Sequence, residues 1–180
     1  MENRNVLRKI RDFLPLFFVV LAAIAARAIP HPPNFAPITG IALFSGSYFG
    51  GVSAFILPLG IMLLSDAIIG FHSTMIYVYG SFLFIVLLGK FLKTKTSFIR
   101  LTVTSLISSI LFFTITNFGV WQGGGLYPKT FQGLGQSYAM AIPFFRNTLL
   151  GDFFYTFILF YGFQLVTLLL NRLAFVKKSS

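Results

Sequence analysis

Any chemistry this chain performs must be done with very few ionisable groups. Its 180 residues include four acids, two His and no Cys. The acids are Glu2, Asp12, Asp66 and Asp152, and the histidines are His31 and His72. Without Cys, disulfides, thiolate metal sites and a thiol nucleophile are excluded. His31 and His72 lack the companions that a three- or four-ligand metal site needs. No Ser/His pair, His-Glu-x-x-His or carboxylate dyad stands at useful spacing. The expectation is therefore a protein that is not an enzyme and carries no cofactor or metal. Without a Gly-x-x-x-x-Gly-Lys-Ser/Thr phosphate loop, the chain is not itself an ATPase.

The polar residues that remain gather at the ends of apolar runs. Arg27, His31 and Asn34 follow the first run, and Asp66 and His72 end another. Asn117, Trp121 and Gln122 close a third, while Arg146, Asn147 and Asp152 open the last. Ionisable groups beside long apolar stretches are costly and mark function or pairing. One reading is a pocket in which apolar walls bury a small molecule and a few polar groups orient it. Its expected ligand-binding residues are Asn34, Phe35, Asp66, Asn117, Trp121, Arg146, Asn147 and Asp152. The other reading is interhelical pairing, with Asp66 and Asp152 neutralising Arg27 and Arg146. The two are compatible, although Arg146 and Asp152 stand six positions apart and so on different faces of one helix. Asp152 shares its face with Thr148, Tyr155 and Thr156. Ser105, Ser109 and Thr116 form a stripe suited to close packing or an interhelical hydrogen bond. A cluster rich in Arg and aromatics accommodates a flat, partly anionic ligand, among others.

The elements that must position these residues are apolar helices. The composition is 56% hydrophobic and 18% aromatic, with 24 Phe and only 10% charged residues. Crossing a bilayer core of about 30 Å takes roughly 20 helical residues. Runs of suitable character cover 13–29, 52–69, 75–92, 98–118 and 147–170. A shorter run, 38–49, spans on the order of 18 Å as a helix, so it must draw in its flanks, sit behind other helices or re-enter. The prolines of Pro30-His31-Pro32-Pro33-Asn34-Phe35-Ala36-Pro37 make a stiff, extended connection before it. The glycine-punctuated stretch 119–146 reads as the long outer loop, with a short interfacial helix over 134–142.

The net charge of +10 does not indicate nucleic acid, because the basic residues sit next to apolar runs and not on a hydrophilic face. They act as topology signals. Six crossings place Arg4, Arg8, Lys9 and Arg11, then Lys90, Lys93, Lys95 and Arg100, then Arg172, Lys177 and Lys178 on the cytoplasmic side. The expected architecture is an all-α membrane protein, one compact bundle of about six transmembrane helices. Its basic N-terminus (1–12) and its tail (171–180) are both cytoplasmic. The start also resembles a secretory signal with Ala26-Arg27-Ala28 as a small-x-small site, but the apolar run is longer than such signals and Arg stands inside the site.

Ala22 and Ala26 lie one helical turn apart, a small-xxx-small pattern that lets another helix approach closely. Six helices in a chain of this length, both ends inside, this Ala-x-x-x-Ala and an aromatic outer pocket resemble the substrate-binding S components of energy-coupling-factor transporters. More closely, several segments resemble a bacterial family of S-component-like membrane proteins of uncharacterised substrate. These are Pro33-Asn34-Phe35-Ala36-Pro37-Ile38, Ser65-Asp66, Asn117-Phe118-Gly119-Val120-Trp121 and Pro143-Phe144-Phe145-Arg146-Asn147-Thr148-Leu149-Leu150-Gly151-Asp152. The resemblance implies a multi-pass protein of the bacterial cytoplasmic membrane that captures a vitamin-like small molecule from outside. It also implies partners, a coupling membrane subunit docking on Ala22 and Ala26 and two ATPases. The competing expectations are a self-sufficient permease or channel and a structural scaffold of the membrane.

Overall fold

A computed structural model of the chain describes residues 20–92 and 97–179. The basic segment 1–12, the first part of the helix expected over 13–29, and Lys93 and Lys95 lie outside the described residues. The chain is all-helical, with no strand among the described residues. In order, the helices are α1 (20–28), α2 (Ile38–Tyr48), α3 (Ser53–Ile69), α4 (Met75–Phe91), α5 (Phe98–Gly123) and α6 (Phe131–Ser179).

Side-chain contacts fix their directions. Asp66 near the end of α3 meets Tyr79 near the start of α4, and Tyr77 meets Phe118 at the far end of α5. Ser109 on α5 meets Asp152 on α6, and Phe98 meets Phe157. Arg27, closing α1, reaches Asp66, so α1 runs with α3. Gly40 and Phe44 of α2 touch Thr156 and Phe160 of α6, so α2 runs with α6. Helices α1, α3 and α5 thus run one way and α2, α4 and α6 the other. The connections 29–37, 70–74 and 124–130 come together at one end, the loop end.

Helix α2 is short and enclosed by its neighbours. Its residues Ile38 to Leu43 are all buried, and it touches α3, α4, α5 and α6. Of the three options open to the 38–49 run, the structure takes the one behind other helices. Glycine makes this possible. A Cβ on Gly46 would stand 2.0 Å from the Val86 carbonyl oxygen, one on Gly89 would stand 2.4 Å from the Leu43 oxygen, and one on Gly40 would stand 2.9 Å from the Thr156 nitrogen. Backbones at such range pack through small residues alone. Two hydroxyls complete the anchoring: Ser45 donates to the Ala54 carbonyl at 2.7 Å and Ser47 to that of Leu92 at 2.9 Å.

The long loop expected over 119–146 is mostly helix. Helix α5 continues to Gly123 and α6 begins at Phe131, leaving only 124–130 as a connection. The expected interfacial helix over 134–142 is the first part of α6. It packs along α5, with Tyr138 donating to the Thr114 carbonyl at 2.8 Å and Phe113 against both Tyr138 and Phe145. Pro143 sits inside α6, where neighbouring helices offset the single ladder bond it removes.

Polar groups share the interior with the apolar core, and large apolar side chains cover much of the outside. Ser65, Asp66, Ser81, Ser105, Ser108, Ser109, Asp152 and Thr156 are buried, while Ile56 is 64%, Ile76 is 76% and Phe91 is 81% exposed. Much of the buried hydroxyl demand is met within a helix: Ser65 bonds the Ile61 carbonyl and Ser108 that of Thr104, a pattern that suits apolar surroundings. Two helices, Phe98–Gly123 and the Phe131–Leu169 part of α6, are long and apolar enough to cross a membrane, and Ser53–Ile69 and Met75–Phe91 are shorter apolar helices.

Candidate functional site

A cavity of about 470 Å³ opens at the loop end between the 29–37 segment, the 70–74 connection and the upper parts of α3 to α6. His31, Asn34 and His72 stand among its rim residues, Asn117 and Arg27 on its walls, and Thr39, Thr148 and Asp152 deeper in. Its apolar lining includes Phe82, Phe112, Phe113 and Phe144. The first loop is seated by two local features. Asn34 adopts a left-handed φ of 66°, a conformation Asn tolerates better than most residues. Phe35 then lies across α6 against Phe154 and Tyr155, where a Cβ on Gly151 would stand 3.0 Å from the Phe35 Cα. Asn34 is left to line the cavity.

The two buried carboxylates have different surroundings. Asp66 is fully buried and lies 2.7 Å from an Arg27 guanidinium nitrogen, while Tyr79 donates to its other oxygen at 2.8 Å. Arg27 also donates to the Met62 carbonyl at 3.3 Å and to the Ser65 hydroxyl. This locks the end of α1 to α3 and α4. Asp66 is not among the cavity-lining residues, and its contacts are those of the pairing reading.

Asp152 is 2% exposed and lines the cavity. Ser109 donates to it at 2.6 Å, and Thr39 supplies a second hydrogen bond. Among the described residues the ion pair Arg27–Asp66 is the only one, so Asp152 has hydroxyl donors but no counter-cation there. One turn further from the loop end, the hydroxyls of Ser105 and Thr156 are buried without a hydrogen-bond partner. They sit four residues from Ser109 and Asp152 on antiparallel helices, hence at one level. A turn beyond, Leu101 and Phe160 are fully buried, so apolar side chains succeed the polar ones at that level.

The remaining expected residues divide. Asn34, Asn117 and Asp152 come together in the cavity lining. Asn117 donates its amide to the Phe113 carbonyl at 2.7 Å, which holds the side chain along α5. Trp121 belongs to the 124–130 turn instead: its indole donates to the Pro128 carbonyl at 3.0 Å, and the Lys129 ammonium stands 5.4 Å from its ring centroid. Arg146 is exposed on α6 and Asn147 partly buried, neither lining the cavity. Of the two arginines in the expected cluster, Arg27 lines the cavity paired with Asp66 and Arg146 stands outside it. Sequence reasoning left Thr39 out of the site, because a lone Thr in the apolar run Ile38–Leu43 carries no signal of its own. On α1, Ala22 is exposed and Ala26 partly so, leaving this small-residue face open among the described residues.

No curated protein and no solved structure matches the chain. A model of a family of unknown function, DUF6580, matches residues 8–173, and the chain belongs to that family.

Proposed function

We propose that this protein is a membrane-embedded capture subunit that takes a vitamin-like small molecule from the outer side of the bacterial cytoplasmic membrane. The observation that carries the reading is the cavity of about 470 Å³ at the loop end, with polar groups deep inside it and an apolar closure at Leu101 and Phe160 beneath. A site open at one end and closed at the other suits binding and holding better than conduction.

The exposed apolar surface supports the membrane setting, because Ile, Leu and Phe side chains on the outside of α3 to α6 need an apolar solvent. A bundle of six crossings, with both termini cytoplasmic, agrees with the basic residues Lys90, Arg100 and Arg172 at the end opposite the cavity mouth. The S-component resemblance extends the proposal to partners, a coupling membrane subunit that approaches the open Ala22 and Ala26 face and ATPases that drive release. Purification from native membranes followed by native mass spectrometry tests this directly. A retained small molecule and retained subunits are expected; a chain free of both would sink the proposal.

The alternative of a self-sufficient permease draws support from the Ser105 and Thr156 hydroxyls, which continue the polar column past Asp152. Solute flux into liposomes containing this chain alone separates the two, and the capture reading expects none.

A further inference from the structure

We infer that the ligand of this cavity is an organic cation of one or two rings, with Asp152 as its counter-ion. The inference rests on the capture reading above and concerns the same site. It begins from the charges that reach the cavity. Arg27 is neutralised by Asp66 at 2.7 Å. His31 and His72 stand at the mouth, where their Nδ1 atoms meet the Pro32 carbonyl at 2.8 Å and the Thr74 hydroxyl at 3.0 Å. Asp152 is the acid set deep inside without an ionic partner among the described residues.

Hydroxyl donors are no substitute for a counter-ion, so a carboxyl group alone in an apolar bundle is costly to ionise. A cationic ligand removes that cost on entry, whereas an anion adds to it. The walls have the same preference. Phe82, Phe112, Phe113 and Phe144 line the space, and aromatic rings favour cations over their faces. The rejection of anions is thus built in twice, by charge and by lining. The Thr148 hydroxyl donates to the Phe144 carbonyl and the Asn117 amide to that of Phe113, which leaves the Thr148 hydroxyl oxygen and the Asn117 carboxamide oxygen to accept from N–H or O–H groups of the ligand. The volume of about 470 Å³ fits a small ring system.

The test uses the full chain purified in detergent and a metabolite extract of its host cells, resolved by ion exchange into cationic, neutral and anionic fractions. Each fraction is incubated with the protein, and bound compounds are read by native mass spectrometry. The expected result is a compound bound from the cationic fraction. Its affinity should fall on the order of a hundred-fold in Asp152→Asn and hold in Trp121→Ala. A compound bound from the neutral or anionic fraction overturns the cation inference and leaves the capture reading standing. Cation binding unchanged in Asp152→Asn overturns the counter-ion role. No compound from any fraction overturns both readings. If Asp152→Asn does not fold, the fraction from which the wild-type chain draws its ligand still decides the class.

Discussion

The Arg27 guanidinium lies 2.7 Å from the fully buried Asp66 carboxylate, so of the two roles that the sequence offers Asp66 it takes the pairing one and fastens α1 to α3. Removing one partner of such a pair strands the other, at a cost of about 3 kcal/mol. Asp66→Asn and Arg27→Met are each expected to lower the unfolding midpoint in detergent clearly. Replacing both partners together with Leu and Met should recover most of the loss, because two apolar side chains leave no stranded charge. A double variant as unstable as the sum of the singles would show that the pair is not what these residues contribute.

Helix α2 supplies a prediction of a different kind. Gly46 faces the α4 backbone with no room for a Cβ, the Val86 oxygen standing 2.0 Å from where one would lie. Gly46→Ala must push α2 away from α4, at about 2 kcal/mol. Gly60 in α3 and Gly80 in α4 have nothing within 4 Å, so Ala there is expected to be neutral or to stabilise by up to about 1 kcal/mol through helix propensity. Comparing the three melting curves tests whether close backbone contact, and not glycine content, holds the central helix.

The helical class and the short α2 are legible in the sequence because apolar run length carries them. The runs at 52–69 and 75–92 nearly coincide with α3 and α4, since Gly50-Gly51 and Gly70 punctuate them: Gly51 turns the chain at positive φ between α2 and α3, and Gly70 at positive φ caps the end of α3. The stretch 119–146 is misleading for the same reason. Its Gly and Pro residues read as breakers, but packing of Tyr138 and Phe145 on α5 provides a helical environment that outweighs them. Which cation meets which acid is a tertiary fact: Arg27 and Asp66 are 39 positions apart. Trp121 gives no hint in the sequence that it turns toward Lys129. That Asn117 and Asp152 line the cavity is legible to the extent that each stands as a polar group beside a long apolar helix segment.

The division of expected site residues makes a quantitative contrast. Asn117 lines the cavity, and its side chain is already steered by the Phe113 carbonyl. Asn117→Ala should weaken ligand binding about ten-fold, the usual worth of one hydrogen bond inside a protected site. Trp121→Ala and Arg146→Ala, which alter neither wall nor floor, should stay within about two-fold. Ligand titrations followed by native mass spectrometry give all three numbers, and a large effect at Arg146 with none at Asn117 would mean the ligand sits elsewhere.

The absence of Cys makes the sidedness of the bundle directly measurable, because each introduced thiol is the only one in the chain. His72→Cys and Lys129→Cys lie at the loop end, and a membrane-impermeant maleimide should label both in intact cells. Arg100→Cys and Arg172→Cys lie at the opposite end and should react only after the membrane is permeabilised. Two further positions examine the closure of the cavity. Thr148→Cys lines the open space and should react from outside with a small charged methanethiosulfonate. Ser105→Cys lies beneath Asp152 and above the buried Leu101 and Phe160, so it should resist reagent from either side. Labelling of Ser105→Cys from the cytoplasmic side would mean that the apolar layer opens in the membrane, and the column below Asp152 would then be a route through the bundle.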